Sequence, residues 1–293
     1  MNSADLPPEI VDGPPALDGR RPLTLPPPDW PGTPRGGHWL RRWLLGFGGL
    51  AVIIWSWAGT GVGPRSLVEG RAGAARLLHG MVPPEVTGEL LARVMTAVVE
   101  TVQISFVALL IGALLGLPIA VLIAGNVGAP HWLASSARVT AAGVRGVPEL
   151  LWALLFVTMV GLGPAAGVYA IALHAAGMIA KLCSEQLEAV DPAPVEALRV
   201  TGASRLATTV LAIIPQARNG LASLLLYQWE CNIRSSAVVG FVGAGGIGQA
   251  LGIALRLFRY RELATLLIAA LVLVLAVDRL SRLLRSRMGA AAH

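Results

Sequence analysis

Six long apolar stretches constrain this chain more than any other feature. They cover roughly residues 39–58, 92–124, 139–161, 164–183, 217–242 and 263–280. A helix needs about 20 predominantly apolar residues to cross the hydrocarbon core of a bilayer. Length alone would suggest one or two soluble domains. A chain that is 55% hydrophobic and only 14% charged overrides that prior. The expected fold class is therefore all-α: a polytopic membrane protein with about six transmembrane helices.

The remaining segments divide the chain. Residues 1–38 hold half of its prolines and are rich in Gly and Asp. They cannot bury enough apolar area to offset their ordering entropy, so a disordered Pro-rich tail is expected. Residues 39–90 would supply the first span and an outside connection with an amphipathic stretch, Leu67–Met81. Residues 91–285 would form the core, with a polar loop at 186–215, and 286–293 a short C-terminal tail. The first apolar run follows the long Pro-rich lead and is long enough to span, so it is expected to be an uncleaved helix. Trp39, Trp43, Trp55 and Trp57 mark its two interfaces. Most of the 23 basic residues fall in the tail, the 125–145 turn, the 181–218 loop and the C-terminus. With six spans these four segments share one side, which the positive-inside rule makes the cytoplasm, with both termini there. Arg256, Arg259 and Arg261 fall on the other side, where a surface helix would accommodate them.

Several function classes are set aside. The net charge of +6 is carried by Arg residues scattered at the ends of apolar segments, with no single basic face for nucleic acid. Cys183 and Cys231 have no metal-ligand spacing and are expected to be small packing residues. A Walker A loop needs Gly-Lys-Ser/Thr, and the sole lysine, Lys181, lies between Ala180 and Leu182. If transport here uses ATP, a separate subunit must supply the ATPase.

One polar, helix-prone stretch lies between two strongly apolar ones: Glu196-Ala197-Leu198-Arg199-Val200-Thr201-Gly202-Ala203-Ser204, followed by Ile214-Pro215. It resembles the cytoplasmic "EAA" loop of ABC importer permeases, a helix–turn–helix that sits in a groove of the ATPase subunit. The Glu, the first Ala, the Gly and the Pro match at the family spacing. Leu198, Ala212 and Ile214 replace other apolar residues, which a docking helix tolerates. The similarity extends to Arg145-Gly146-Val147-Pro148-Glu149-Leu150-Leu151-Trp152-Ala153-Leu154, to Lys181 through Glu196, to Glu230-Cys231-Asn232-Ile233-Arg234-Ser235, and to Val239 through Gly248. Together these resemble the phosphonate importer permeases over roughly residues 95–285.

The resemblance implies a type I ABC importer permease fold in the bacterial cytoplasmic (inner) membrane. It implies a homodimer, two ABC ATPase subunits on the cytoplasmic face and an extracytoplasmic substrate-binding protein. ATP and Mg would be bound by the ATPase, with no cofactor or metal on this chain and no covalent chemistry of its own. The cargo would be phosphonate or a related oxyanion such as phosphite or phosphate. A permease for another small solute such as methionine is the alternative. An ion-coupled secondary transporter or a membrane scaffold are readings of other classes. Glu196, Ala197, Gly202, Ala203 and Pro215 would form the ATPase-coupling element, with Gly202 permitting the tight turn.

Candidate pathway or gate residues follow from polar groups at membrane depth, which are costly there and functional by default. Glu230, Asn232, Arg234, Ser235 and Ser236 share one apolar segment. Arg234 suits an oxyanion through bidentate hydrogen bonds, but Glu230 is four residues earlier and is expected to pair with it on one helix face. Arg145 and Glu149 repeat that spacing around Pro148, which would make either a gate hinge or a tolerated kink. The run Gly243-Ala244-Gly245-Gly246-Ile247-Gly248 matches a dinucleotide fingerprint only formally. Its Gly245 and Gly246 suit either an unwound stretch near a gate or close helix packing. Glu100, Gln103 and His174 are expected to be satisfied contacts between helices, and Gly112 and Gly116 a close-packing face.

Overall fold

A computed structural model of the chain describes residues 38–60 and 63–289. Most of the expected N-terminal tail and residues 290–293 lie outside the described residues. The chain divides into two units, Met1–Gly70 and Arg71–His293. In the first, α1 runs His38–Thr60, over the expected first span, and Trp43 stacks on Phe47 with ring centroids 5.7 Å apart. The amphipathic stretch is helical too, as α2, Pro64–Met81.

The second unit holds the core. Its helices are α3 (Gly88–Ile123), α4 (His131–Gly146), α5 (Glu149–Val160), α6 (Pro164–Glu188), α7 (Pro192–Val200), α8 (Arg205–Thr208), α9 (Ile214–Gly240), α10 (Gly246–Arg256) and α11 (Tyr260–Arg287). Five described helical segments are long and apolar enough to cross a membrane, and the number is six if the pair α4–α5 is one span. α11 extends through Arg287, so it takes up part of the expected C-terminal tail.

Two expected boundaries are corrected. The stretch 139–161 is not one straight helix: α4 and α5 meet at an angle of 86°. Pro148 cannot donate a backbone hydrogen bond, and it drives Val147 out of helical conformation, to φ −87° and ψ 124°. Pro148 then caps α5, its carbonyl accepting from the amides of Leu151 and Trp152. The fifth span begins earlier than 217. α8, a five-residue π-helical turn at Thr209–Ile213 and α9 form one continuous helix from Arg205 to Gly240. Pro215 again explains the local change, because its ring crowds the carbonyl four residues back and its missing N–H leaves the ladder one bond short.

Small residues hold the core together. α3 lies against α6 where Gly112 and Gly116 face Ala172, Ala175, Ala176 and Ile179. A Cβ on Gly116 would meet the Ala176 carbonyl at 2.7 Å, and one on Gly112 the Ala175 Cβ at 3.0 Å. The close-packing reading of these two glycines thus matches the geometry. α4 crosses α6 in the same way at Gly177, where a Cβ would lie 2.9 Å from the Ala141 carbonyl. Helices immersed in lipid gain little from hydrophobic burial, so van der Waals contact through such small-residue faces supplies their association.

Gly116→Ala should therefore destabilise the purified protein, by about 1–3 kcal/mol as expected for overpacking. Gly143 is also in a helix interior but has nothing within 4 Å of an added Cβ. Gly143→Ala should be neutral or raise the melting temperature, gaining up to ~1 kcal/mol of helix propensity. Thermal melts of both variants in detergent check the opposite signs.

Candidate functional site

The polar stretch 192–208 folds into a hook at one end of the bundle. Asp191 caps α7, its carboxylate accepting from the Ala193 amide at 3.0 Å, and Pro192 follows at the first helical position, where its missing N–H costs nothing. α7 ends in a reversal in which Gly202 donates to the Arg199 carbonyl and Ala203 to that of Leu198. Gly202 has φ +82°, a left-handed conformation, and open space around its missing Cβ. Glycine is thus needed there for its backbone alone. Ser204 caps α8 through the Ala207 amide.

One side of the hook is anchored. Val195, Leu198, Ala212 and Ile213 pack with Ala124, Leu187 and Ala217 at the ends of three long helices. Arg199 donates to the Asn126 carbonyl, Arg205 to that of Gly128, and the Gly125 amide to Glu188 at 2.8 Å. The other side is open. Glu196, Ala197, Gly202 and Pro215 are exposed, with Ala203 half-buried. Val200 and Leu206 are 87% and 75% exposed, a costly display of apolar surface for a loop with nothing to dock on.

The second feature is a cavity of about 310 Å³ between α5, α6 and α9, lined by Glu149, His174, Tyr227, Gln228, Cys231 and Arg234 among others. The bend at Pro148 delivers Glu149 to it as the first residue of α5. Ser235 on α9 donates to Glu149 Oε1 at 2.8 Å. His174 on α6 faces Glu149 Oε2 through Nε2 at 3.5 Å and the Val147 carbonyl through Nδ1 at 3.3 Å. Three elements are therefore joined through one carboxylate. His174 was expected to be a satisfied contact between helices, and both of its nitrogens are engaged in this way.

Other expected contacts differ. Glu230 does not pair with Arg234. It accepts from Arg285 of α11 at 2.8 Å, with both side chains largely buried. Arg285 reaches it from another helix, whereas Arg234 is turned toward the cavity and donates to the Cys231 sulfur at 3.3 Å. The signal for this was present in Arg285 itself, but only tertiary packing brings a residue 55 positions away to Glu230. Asn232 is not at the cavity. It is buried against α3, donating to the Ser105 carbonyl and accepting from Gln228. Arg145 lies on α4, where its backbone packs against Gly177 and its side chain is exposed outside the cavity lining. Glu100 and Gln103 are not the satisfied contacts expected of them. Neither has a hydrogen-bond or ionic partner among the described residues, and both line one open groove on α3.

The backbone at Gly245 and Gly246 is both unwound and closely packed. The turn between α9 and α10 is unwound, with φ of +90°, +85° and +68° at Gly243, Gly245 and Gly246. It is also tightly packed. A Cβ on Gly246 would meet Thr101 Oγ1 at 2.7 Å, and one on Gly167 of α6 would meet the Ala244 carbonyl at 2.5 Å. Its backbone finds partners within the protein: Gly163 donates to the Gly243 carbonyl at 2.9 Å, and Ile247 to Thr101 Oγ1 at 2.8 Å. Arg256 donates to the Phe241 carbonyl beside it, and Arg261 to that of Pro83, so these basic residues cap backbone at the end opposite the hook.

Apolar helices long enough to cross a membrane, a charged cavity among them and one polar helical hook at the end of the bundle define a polytopic membrane protein. The chain belongs to the family of binding-protein-dependent transport system inner membrane components, whose pattern it matches over residues 116–290. It is thus a multi-pass inner-membrane permease. It is 38% identical over 221 residues to the phosphite transport system permease protein PtxC of Stutzerimonas stutzeri, covering 75% of this chain and 79% of that one. It is 36% identical over 245 residues to the phosphate-import permease protein PhnE of Mycolicibacterium smegmatis, covering 84% of this chain but only 43% of that longer relative. Among solved structures, an inward-facing form of the MetNI methionine ABC transporter superposes with a TM-score of 0.63 at 23% identity, covering 69% of this chain and 99% of that one. That likeness establishes the fold, of the type I importer class.

Two outcomes follow from the geometry. Gly202→Ala should cost about 1–2 kcal/mol, the penalty for a left-handed L-residue, and Gly202→Asn less; hydrogen exchange across α7 and α8 reads the loosening. Glu230→Gln and Arg285→Met should show a coupling of about 0.5–3 kcal/mol in a double-mutant cycle on thermal stability. Glu230→Gln and Arg234→Gln should show a smaller coupling than that pair.

Proposed function

We propose that this chain is the translocation subunit of an ATP-driven importer for a phosphorus oxyanion, with phosphonate, phosphite and phosphate as the substrate class. One observation carries the oxyanion reading. Arg234 faces the cavity with its charge unspent, because Arg285 occupies the carboxylate that would otherwise neutralise it. A guanidinium offers paired donors that match an oxyanion. The names of the relatives support the same class.

In this reading two copies of the chain form a homodimer, and each hook docks on one ABC ATPase subunit at the cytoplasmic face. Both termini lie on that side. Glu196, Ala197, Gly202, Ala203 and Pro215 form the coupling element, with Val200 and Leu206 as its apolar contacts. ATP and Mg are bound by the ATPase subunits, and this chain performs no covalent step. An extracytoplasmic binding protein delivers the ligand at the opposite end. Closure of the ATPases draws the hooks together, and the continuous helix from Arg205 carries that motion to Arg234 and Ser235. Glu149, on the far side of the bend, moves relative to them and changes access to the cavity.

The test is ATP hydrolysis by the complex in proteoliposomes, with methylphosphonate, phosphite, phosphate or methionine supplied to the binding protein in turn. Stimulation by one phosphorus oxyanion is expected. Glu196→Ala should reduce it at least about ten-fold while leaving the helical bundle intact, and Arg234→Gln should lower uptake more than ATPase assembly. Stimulation by methionine alone would reject the oxyanion class. Failure of the ATPase to associate would reject the coupling role of the hook.

A further inference from the structure

Both contacts of His174 are to acceptors. A backbone carbonyl only accepts, so a hydrogen bond to the Val147 carbonyl, 3.3 Å from Nδ1, requires a hydrogen on that nitrogen. In a neutral imidazole that assignment leaves Nε2 as a bare lone pair. Nε2 faces Glu149 Oε2 at 3.5 Å, and an ionised carboxylate is also acceptor-only. Two acceptors turned toward each other in a half-buried site repel. Glu149 cannot relieve this through its other oxygen, which already accepts from Ser235 at 2.8 Å. The arrangement is stable when one further proton lies between the pair, either as imidazolium beside carboxylate or as carboxylic acid beside imidazole.

We infer that Glu149 and His174 form a proton-binding site in the wall of the cavity, and that its proton decides whether the cavity is net positive or neutral. The groups around the pair are few. α9 contributes Arg234, Cys231 and Tyr227. α4 contributes Arg145, whose side chain is exposed outside the cavity lining. α6 contributes His174 alone at this level, as Lys181 is paired with Glu185 two turns away. With the proton bound, Arg234 and the imidazolium outweigh Glu149 and the cavity is net positive. Without it, Arg234 and Glu149 cancel. Resting on the oxyanion pathway proposed above, this makes anion and proton cooperative ligands, each raising the affinity for the other by the same factor.

Two measurements test this, one of them independent of transport. Nitrogen-15 NMR of the full chain in lipid, labelled at histidine and assigned with His174→Gln, should show His174 with both nitrogens protonated or sharing a proton with Glu149. In Glu149→Gln the amide donates to Nε2 and the ring should become the neutral Nδ1–H form. A neutral Nε2–H ring in the native chain, or a spectrum unchanged by Glu149→Gln, overturns the proton site. The second measurement is methylphosphonate uptake by the whole complex between about pH 6 and pH 8, each variant compared with the native chain. Native uptake should fall at least about five-fold across that range. Glu149→Gln leaves a cavity positive at every pH and should flatten the profile at the high level. His174→Gln leaves it neutral and should flatten it at the low level. Parallel profiles in all three reject charge control even where NMR finds the proton. Uptake indifferent to Arg234→Gln rejects the oxyanion pathway instead.

Discussion

Backbone that leaves the helix inside a membrane must find its hydrogen-bond partners in protein, and this fold is arranged around two places where that happens. At the Gly243–Gly246 turn, Gly163 and Thr101 supply the partners, and the glycines let α3 and α6 approach closely enough to do so. At Val147–Pro148 the partners are the His174 ring and the Trp152 indole, which donates to the Val144 carbonyl at 3.2 Å. Both breaks face α6. The small-residue face of α6 is therefore the surface on which the irregular parts of the molecule are built, and the cavity lies beside one of those parts.

Much of this was legible in the sequence because the signals were local. The presence of the apolar spans, the break at Pro148 and the reversal at Gly202 each depend on residues within one or two turns. The Gly112–Gly116 face was equally plain, since a four-residue spacing of glycines fixes one side of a helix. What stayed hidden depended on which helix met which. Glu230 and Arg234 have the right spacing to pair, yet Arg285 arrives from α11 and takes the carboxylate. Asn232 shares a segment with Arg234 and Ser235, but a rotation of about 100° per residue turns it to α3 instead of the cavity. The pairing of Glu149 with His174 and Ser235 joins three helices, and no periodicity in one of them announces it.

The two halves of the molecule differ in how polar groups are spent. At the hook, arginines are committed to backbone carbonyls, which fixes the hook to the ends of the long helices and leaves only its outer face free. Within the cavity Glu149, His174 and Ser235 hold one another across helix boundaries through side-chain contacts. The first arrangement suits a rigid attachment. The second can be exchanged for contacts with a ligand at little cost, because each group keeps an accessible edge.

The π-helical turn before Pro215 has a mechanical meaning. It lets α8 and α9 remain a single shaft despite the proline, where a loop would have formed a slack joint. From Arg205 to Arg234 that shaft spans roughly 40 Å at 1.5 Å per residue. A tilt of the hook about the crossing with α6 would swing the cavity wall by about as much in the opposite sense, because that crossing, at Gly220, lies midway between Arg205 and Arg234. At that crossing an added Cβ at Gly220 would run into Gln186 at 2.5 Å. Bulk at that glycine would therefore strain the shaft against α6 without touching either end.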